Sequence, residues 1–174
     1  EGEDLPEEKA VLMVGCYGGE ADFFTLKGTV ESLLSRLNLP RADYTAVSTH
    51  PSYHPGRYAV LTVGDVEIGS VGEVHPTVLE NFGIGCRAWI ARLDIARLFA
   101  VRLPEATYHA LPRFPASTRD LAVICDESLP VAAIEKTITG AVGNILEQIK
   151  LFDVYRGAPV PAGKKSVAYS LVLR

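Results

Sequence analysis

A proline-rich segment divides this chain of 174 residues into two parts. Residues 103–118, LPEATYHALPRFPAST, contain three prolines and no hydrophobic period. Because proline removes a backbone donor and fixes φ, such a segment suits neither a helix interior nor a central strand. The sequence therefore predicts a domain at 1–102, a linker at 103–118 and a second domain at 119–174.

The first part has the pattern of an α+β domain with a mostly antiparallel sheet. Apolar runs bounded by turn residues predict strands at 10–17, 44–48, 58–63, 66–74 and 86–94. Gly64-Asp65 separates two of these strands and is a plausible tight hairpin turn. Apolar residues three and four apart predict an amphipathic helix over 22–39, with shorter helices at 76–82 and 94–100. Gly28 in the long helix indicates a close packing contact, since glycine there costs about 1 kcal/mol relative to alanine.

The second part has the element order β-α-β-β. The predicted elements are a strand at 119–126, a helix at 131–142 and strands at 145–155 and 165–174. This order is the beginning of a ferredoxin-like βαββαβ domain, and a closing helix and strand do not follow in the sequence. We therefore expect a partial ferredoxin-like domain and a chain that is a fragment of a longer protein.

Alternation along the three strands of the second part separates two faces. The face that we expect the helix to cover carries Leu121, Val123, Cys125, Phe152, Val154, Val167, Tyr169 and Leu171. The opposite face carries Asp120, Ala122, Asp153, Tyr155, Ser166, Ala168 and Ser170, and by parity also Ile124 and Leu151. The second set is small and polar apart from one aromatic ring and two aliphatic side chains.

This second face suits a flat ligand such as an unstacked base. A base stacked on Tyr155 would gain roughly 1–3 kcal/mol, its Watson–Crick edge could donate to Asp153, and Ser166 could reach sugar or phosphate. Candidate phosphate contacts at one edge of the sheet are Arg156, Lys164 and Lys165. From the residues alone, the alternative is an ordinary solvated sheet face, or one buried by a neighbouring domain.

Charge and composition narrow the classes of partner. The net charge is −4; residues 1–103 hold nine Lys/Arg and fourteen Asp/Glu, whereas residues 104–174 hold eight and seven. This is not the footprint of an autonomous nucleic-acid binder, so we expect no DNA partner and an RNA affinity that depends on a larger assembly. No apolar run approaches the roughly 18 residues of a membrane span, so no membrane partner is expected. Three scattered cysteines favour a reducing, cytoplasmic location.

Other candidate sites have simpler explanations. Metal-ligating side chains occur at His50 and His54, which are four residues apart, with Glu73 and His75 downstream. Pro51 and Pro55 prevent the helix that would bring two of these histidines onto one face, so we expect no metal site. Cys16, Cys86 and Cys125 lie in predicted strands, where a buried thiol is protonated and inert. Arg41 and Arg57 are either solvated loop charges or part of a surface for a partner.

The second part resembles the ferredoxin-fold anticodon-binding domain at the C-terminus of bacterial phenylalanyl-tRNA synthetase β subunits. The matching stretches are PRFPASTRDLAVICDE (112–127), LFDVYRG (151–157) and GKKSVAYSLVLR (163–174). The first part looks like the synthetase-like, catalytically inactive module that precedes this domain in the family. Its matching stretches are LPEE (5–8), DFFTLKGTVESLL (22–34), HPGRYAVLTVGDVEIGSVGEVHP (54–76) and LDIARL (93–98).

The resemblance implies a partial class II synthetase-like module with an antiparallel sheet, followed by a partial ferredoxin-like βαββ(αβ) domain. It implies tRNA(Phe) as the RNA partner and a heterotetramer of two α and two β subunits. ATP, Mg²⁺ and phenylalanine would be bound by the α subunit, and this part of the β subunit would hold no cofactor and no catalytic residue. The implied anticodon contacts are Ala122, Asp153, Tyr155 and Ser166.

Two other functions stay open at this point. Ferredoxin-like domains also serve as small-molecule-sensing or dimerisation modules, in which case RNA would be irrelevant. Alternatively, the second face could have a purely structural role and pack on the first domain. The exposure of Tyr155 distinguishes a free face from a buried one.

Overall fold

The computed structural model describes residues 8–105, 108 and 111–174. Parts of the LPEE stretch and of the predicted linker lie outside these residues. The chain forms two compact units, Glu1–Thr107 and Tyr108–Arg174. None of the helices in the described residues is long and apolar enough to cross a membrane.

The first unit contains a five-stranded antiparallel sheet in the order β1-β5-β4-β3-β2. Its strands are β1 (Val11–Tyr17), β2 (Asp43–Ala46), β3 (Tyr53–Val63), β4 (Val66–Val74) and β5 (Ala88–Asp94). Its helices are α1 (Phe23–Arg36), α2 (Pro76–Asn81) and α3 (Ile95–Ala100). The predicted hairpin turn is confirmed: Val63 pairs with Val66, and Gly64 adopts the positive φ of +57° that tight hairpin turns favour.

Helix α1 packs its apolar stripe on the sheet. Leu26, Val30 and Leu34 are buried in one core with residues from β3, β4 and β5. The helix begins after Asp22, whose carboxylate accepts a hydrogen bond from the Thr25 backbone N–H at 2.7 Å, a capping contact typically worth about 1 kcal/mol. The predicted close contact at Gly28 is wrong, since a Cβ there would meet no atom within 4 Å.

Two other local predictions for the first unit need correction. Strand β3 begins at Tyr53, five residues before the predicted start at residue 58, because Tyr53 pairs with Val74 and the register is irregular before it resumes at Tyr58. Cys86 is exposed and precedes β5, so the expectation of a buried strand position is wrong for this residue. Cys16 is partly buried, and burial raises the pKa of its thiol.

The second unit contains a three-stranded antiparallel sheet in the order β6-β8-β7. Its elements are β6 (Ser117–Asp126), α4 (Val131–Val142), a 3₁₀ turn (Gly143–Ile145), β7 (Leu146–Tyr155) and β8 (Lys164–Leu173). The β-α-β-β order and the α+β class are as predicted. Strand β6 begins at Ser117, so two residues of the predicted linker belong to the sheet.

Candidate functional site

Helix α4 covers one face of the second sheet. Ile134 and Ile138 of this helix are buried in one core with Cys125, Val167, Tyr169 and Leu171 from the sheet. Tyr169 is fully buried, and its hydroxyl donates to the Val131 backbone oxygen at 3.3 Å. Burial raises the pKa of this phenol to about 12. The helix thus fixes which side of each strand remains available to a ligand.

The opposite face, which we call the open face, is built from three rows of side chains that run across the strands. Residues that pair in an antiparallel sheet point to the same side, so the register defines each row. The rows are Ala122–Ala168–Asp153, Ile124–Ser166–Tyr155 and Asp120–Ser170–Lys150. The four residues predicted to contact an anticodon therefore lie together, in two adjacent rows on one surface.

A β-bulge in β7 corrects part of the parity prediction. The register between β7 and β8 shifts between Leu151 and Asp153, because Leu151 pairs with Tyr169 and Asp153 with Ala168. Leu151 therefore has the register of the helix-covered face, not of the open face. Phe152 is the additional residue and is 55% exposed, so it is not the core residue that parity predicted. Beyond the bulge, Val154 packs on the core as predicted.

Tyr155 and Asp153 are both accessible on the open face. Tyr155 is 45% exposed, and its hydroxyl donates to the Ala158 backbone oxygen at 2.8 Å. Asp153 is exposed and has no hydrogen bond or ion pair with any residue that the structure describes. The centre of the open face is formed by two small residues of β8, Ser166 and Ala168, which are only partly buried. A flat ring can lie over these residues and against Tyr155, with the unpaired carboxylate of Asp153 beside it.

The three predicted phosphate contacts differ in availability. The Arg156 Nε donates to Glu127 Oε1 at 2.8 Å, and the Lys164 Nζ donates to Asp126 Oδ1 at 2.7 Å. The bond from Lys164 lowers the pKa of the Asp126 carboxyl, and the same pair raises the pKa of Lys164. Both cations stay at least 44% exposed and can meet a phosphate by exchanging partners.

Lys165 does not lie on the rim where the sequence predicted it. Its side chain is on the helix-covered side of β8, where the residue is only 6% exposed. Its Nζ donates to the Glu127 backbone oxygen at 2.8 Å. This ammonium is committed to the turn after β6, so it is not available to a phosphate on the open face.

Sequence reasoning missed one cation of the open face and gave no binding role to one aliphatic residue that parity had placed there. Lys150 pairs with Ser170 and is exposed, so the face carries a cation that uninterrupted alternation along β7 would place on the other side. The bulge at Phe152 brings Lys150 to the open face, and no local feature of the sequence predicts this bulge. Ile124 is 58% exposed in the same row as Tyr155. Its parity was readable, but an aliphatic residue was not considered as part of a binding face.

The first unit holds the other notable cluster of charges. The Glu73 side chain is 4% exposed and binds two arginines. Arg87 donates from Nε to Oε1 at 2.8 Å and from Nη2 to Oε2 at 2.7 Å, while Arg57 Nη1 donates to Oε2 at 2.7 Å. These bonds, chiefly the one from Arg87, lower the pKa of Glu73 to about 2. Glu73 is thus a structural carboxylate, and Arg57 is its partner rather than a free loop charge.

The three histidines considered as metal ligands bind the local backbone, and His75 caps α2. Each accepts a backbone hydrogen bond two residues further along the chain through Nδ1: His50 from Ser52, His54 from Gly56 and His75 from Thr77. No group of three or more metal-ligating side chains occurs within 8–105, 108 and 111–174.

Each of the two units matches a known family model. Residues 1–95 match the family model described as the phenylalanyl tRNA synthetase beta chain CLM domain. Residues 112–174 match the model described as the ferredoxin-fold anticodon binding domain. The second match covers all three strands of the open face.

Curated relatives match the chain almost from end to end. The phenylalanine–tRNA ligase beta subunit of Clostridium tetani is 47% identical over 98% of this chain and 21% of its own length. That of Symbiobacterium thermophilum is 44% identical over 100% of this chain and 21% of its own length. That of Geobacter sulfurreducens is 36% identical over 97% of this chain and 22% of its own length. The chain therefore spans about a fifth of the length of the relatives it matches.

Proposed function

Because the chain belongs to the phenylalanyl-tRNA synthetase beta chain family, we propose that it is part of a phenylalanine–tRNA ligase β subunit and binds the anticodon region of tRNA(Phe) through its open face. A single observation carries this proposal: Ala122, Asp153, Tyr155 and Ser166 share one accessible sheet face while α4 covers the other. Unstacked anticodon bases suit such a face, since exposed aromatic rings on sheets bind them by stacking.

Each residue has a distinct task in this proposal. The Tyr155 ring stacks on one base, and the Asp153 carboxylate accepts hydrogen bonds from a base edge. Ser166 contacts sugar or phosphate, and Ala122 leaves room for the base because its side chain is short. Arg156 and Lys164 supply phosphate contacts at the rim, which position the RNA without reading its sequence.

The intact enzyme supplies the chemistry. We expect an α subunit partner that binds ATP, Mg²⁺ and phenylalanine, while this part of the β subunit positions the tRNA and supports assembly. tRNA aminoacylation would place the protein in the cytoplasm. Family membership favours this function over a small-molecule-sensing or dimerisation module, which was the alternative from the sequence.

The proposal is tested by Tyr155→Ala in the full-length β subunit assembled with its α subunit. Loss of the stacking ring should weaken tRNA(Phe) binding by roughly 1–3 kcal/mol, or about 5- to 150-fold in Kd. Filter binding at fixed salt measures the effect. The ring is half-exposed and lies outside the helix-covered core, so the variant should keep the thermal stability of the wild type.

Tyr17→Ala is the matched control. Tyr17 is an exposed tyrosine at the end of a strand in the first unit, 76% exposed. Its loss should leave tRNA affinity within twofold of wild type. Equal affinities of the Tyr155→Ala and wild-type enzymes would reject the proposed function.

A further inference from the structure

The turn after β7 contacts the ring that the proposed function assigns to stacking. Gly157 has a φ of +128°, which is strained for any residue with a Cβ. A Cβ built on Gly157 would lie 3.3 Å from the Tyr155 hydroxyl oxygen and 3.7 Å from its Cζ. The turn can approach the ring this closely because residue 157 has no side chain.

The next residue, Ala158, binds the Tyr155 hydroxyl through its backbone oxygen. The Ala158 oxygen accepts a hydrogen bond from the Tyr155 hydroxyl at 2.8 Å. A phenol has one proton to donate, so while this bond persists the hydroxyl has none for an RNA acceptor. The turn itself is closed by a bond from the Val160 N–H to the Gly157 oxygen at 2.7 Å. The backbone segment that binds the Tyr155 hydroxyl is thus itself held in place by a hydrogen bond within the turn.

We propose that Gly157 and Ala158 are positioning residues that fix the orientation of the Tyr155 ring before RNA binds. The ring then offers its face to a base, while its hydroxyl is used within the protein. Fixing a side chain in its bound orientation reduces the entropy lost on association. This inference rests on the proposed function, because it requires a base to stack on Tyr155.

A double-mutant cycle of Tyr155→Phe and Gly157→Ala tests the inference in the assembled full-length enzyme. Tyr155→Phe keeps the ring and removes its bond to Ala158; Gly157→Ala forces the turn away from the ring. Each variant should weaken tRNA binding about 3- to 10-fold, since each releases the same ring. The double variant should bind no more weakly than the worse single variant, because residues that act through one contact are not additive.

Gly163→Ala is the matched control for backbone strain. Gly163 lies in the same connection, also has a positive φ, +76°, and a Cβ there would meet nothing within 4 Å. This variant strains the connection without touching Tyr155, so tRNA affinity should stay within twofold of wild type. An equal loss in Gly163→Ala and Gly157→Ala would reject a specific role for Gly157.

Two other outcomes overturn the inference. Multiplied losses in the double variant mean that the hydroxyl and Gly157 act separately, and an unchanged Kd in Tyr155→Phe means that the bond to Ala158 is irrelevant.

If Gly157→Ala does not fold, the Tyr155→Phe variant tests the inference alone, through its Kd for tRNAs that differ at the stacked base. A freed ring weakens binding equally for every base, whereas a base-dependent loss shows a hydroxyl that reads RNA. Unchanged binding in Tyr155→Ala rejects the proposed function itself.

Discussion

Two strand carboxylates, Glu73 in the first unit and Asp153 in the second, differ in burial and in pairing. The Glu73 side chain is 4% exposed and receives hydrogen bonds from two arginines. Asp153 is exposed on the open face and has no hydrogen bond or ion pair within the described part of the chain. Burying a carboxylate is costly unless cations and hydrogen bonds compensate it. An exposed carboxylate stays hydrated and keeps its acceptors available to a ligand.

Cations of the two units, Arg87 and Lys150, also differ in pairing. Arg87 uses two of its nitrogens on Glu73, and its guanidinium also lies 5.1 Å from the centroid of the Trp89 ring. Lys150 on the open face has no polar partner among the described residues. The comparison teaches that the charges around Glu73 are paired within the first unit, whereas Asp153 and Lys150 have no partner among the described residues and stay available to a ligand. Residue type alone does not separate these roles.

The largest expected effect comes from removing the buried carboxylate. Glu73→Gln removes a buried carboxylate that receives three hydrogen bonds from two half-exposed arginines, so the free energy of unfolding of the first unit should fall by about 2–3 kcal/mol. Urea denaturation followed by tryptophan fluorescence measures this change, because the single tryptophan of the chain, Trp89, lies in this unit. Glu67→Gln in the same strand removes a carboxylate that is 58% exposed and lies 3.7 Å from Arg97. It should cost less than about 1 kcal/mol.

Acid should weaken the first unit through the same residue. The pKa of Glu73 is about 2 in the folded unit, against an ordinary value of 4.5. A carboxyl with a lowered folded pKa adds stability above its unfolded pKa, and this stability is lost as pH falls from about 4.5 towards 2. The loss should be about 2–3 kcal/mol, measured by urea denaturation at several pH values. A pH dependence that is as steep in Glu73→Gln would contradict this assignment.

Parity predicted the faces of β8 and β6 because their pairing is regular. Their register runs without interruption from Ser117 opposite Leu173 to Asp126 opposite Lys164. Alternation therefore identified Val167, Tyr169 and Leu171 as core residues, and the structure confirms all three. Asp153 and Tyr155 were also placed on the correct face, because both alternate with Val154, which lies beyond the bulge and packs on the core.

Two of the remaining errors have non-local causes, and a third has a local one. A bulge is decided by how two strands pair, so the sequence around Phe152 did not reveal that Leu151 and Lys150 exchange faces. The pairing of Glu73 with Arg57 and Arg87 likewise depends on strand register, since the arginines lie 16 and 14 residues away. Lys165 was misplaced because its charge was given more weight than its parity, which it shares with Val167. Whether the open face contacts an anticodon stays a prediction.

Asp153→Asn tests the opposite half of the comparison. The exposed carboxylate has no structural partner in the described residues, so the free energy of unfolding should change by less than about 0.5 kcal/mol. Binding of tRNA(Phe) should weaken by about 1–2 kcal/mol, because an amide has one acceptor oxygen where the carboxylate has two. Thermal melts and filter binding on the same preparation measure both quantities. A destabilised variant with normal affinity would reverse the roles assigned to the two carboxylates.

Lys150→Ala should have the smallest effect, and the salt dependence of binding identifies its cause. Removing one phosphate contact should weaken binding by about 0.5–1 kcal/mol at low salt and reduce the slope of log K against log salt by roughly 0.7. Lys136→Ala on α4 removes the same charge from the same unit without altering the open face, so its slope should equal that of the wild type. Equal slopes for Lys150→Ala and Lys136→Ala would mean that Lys150 contributes only general charge. A reduced slope for Lys150→Ala alone would extend the RNA path to the third row of the open face, where the bulge at Phe152 places Lys150.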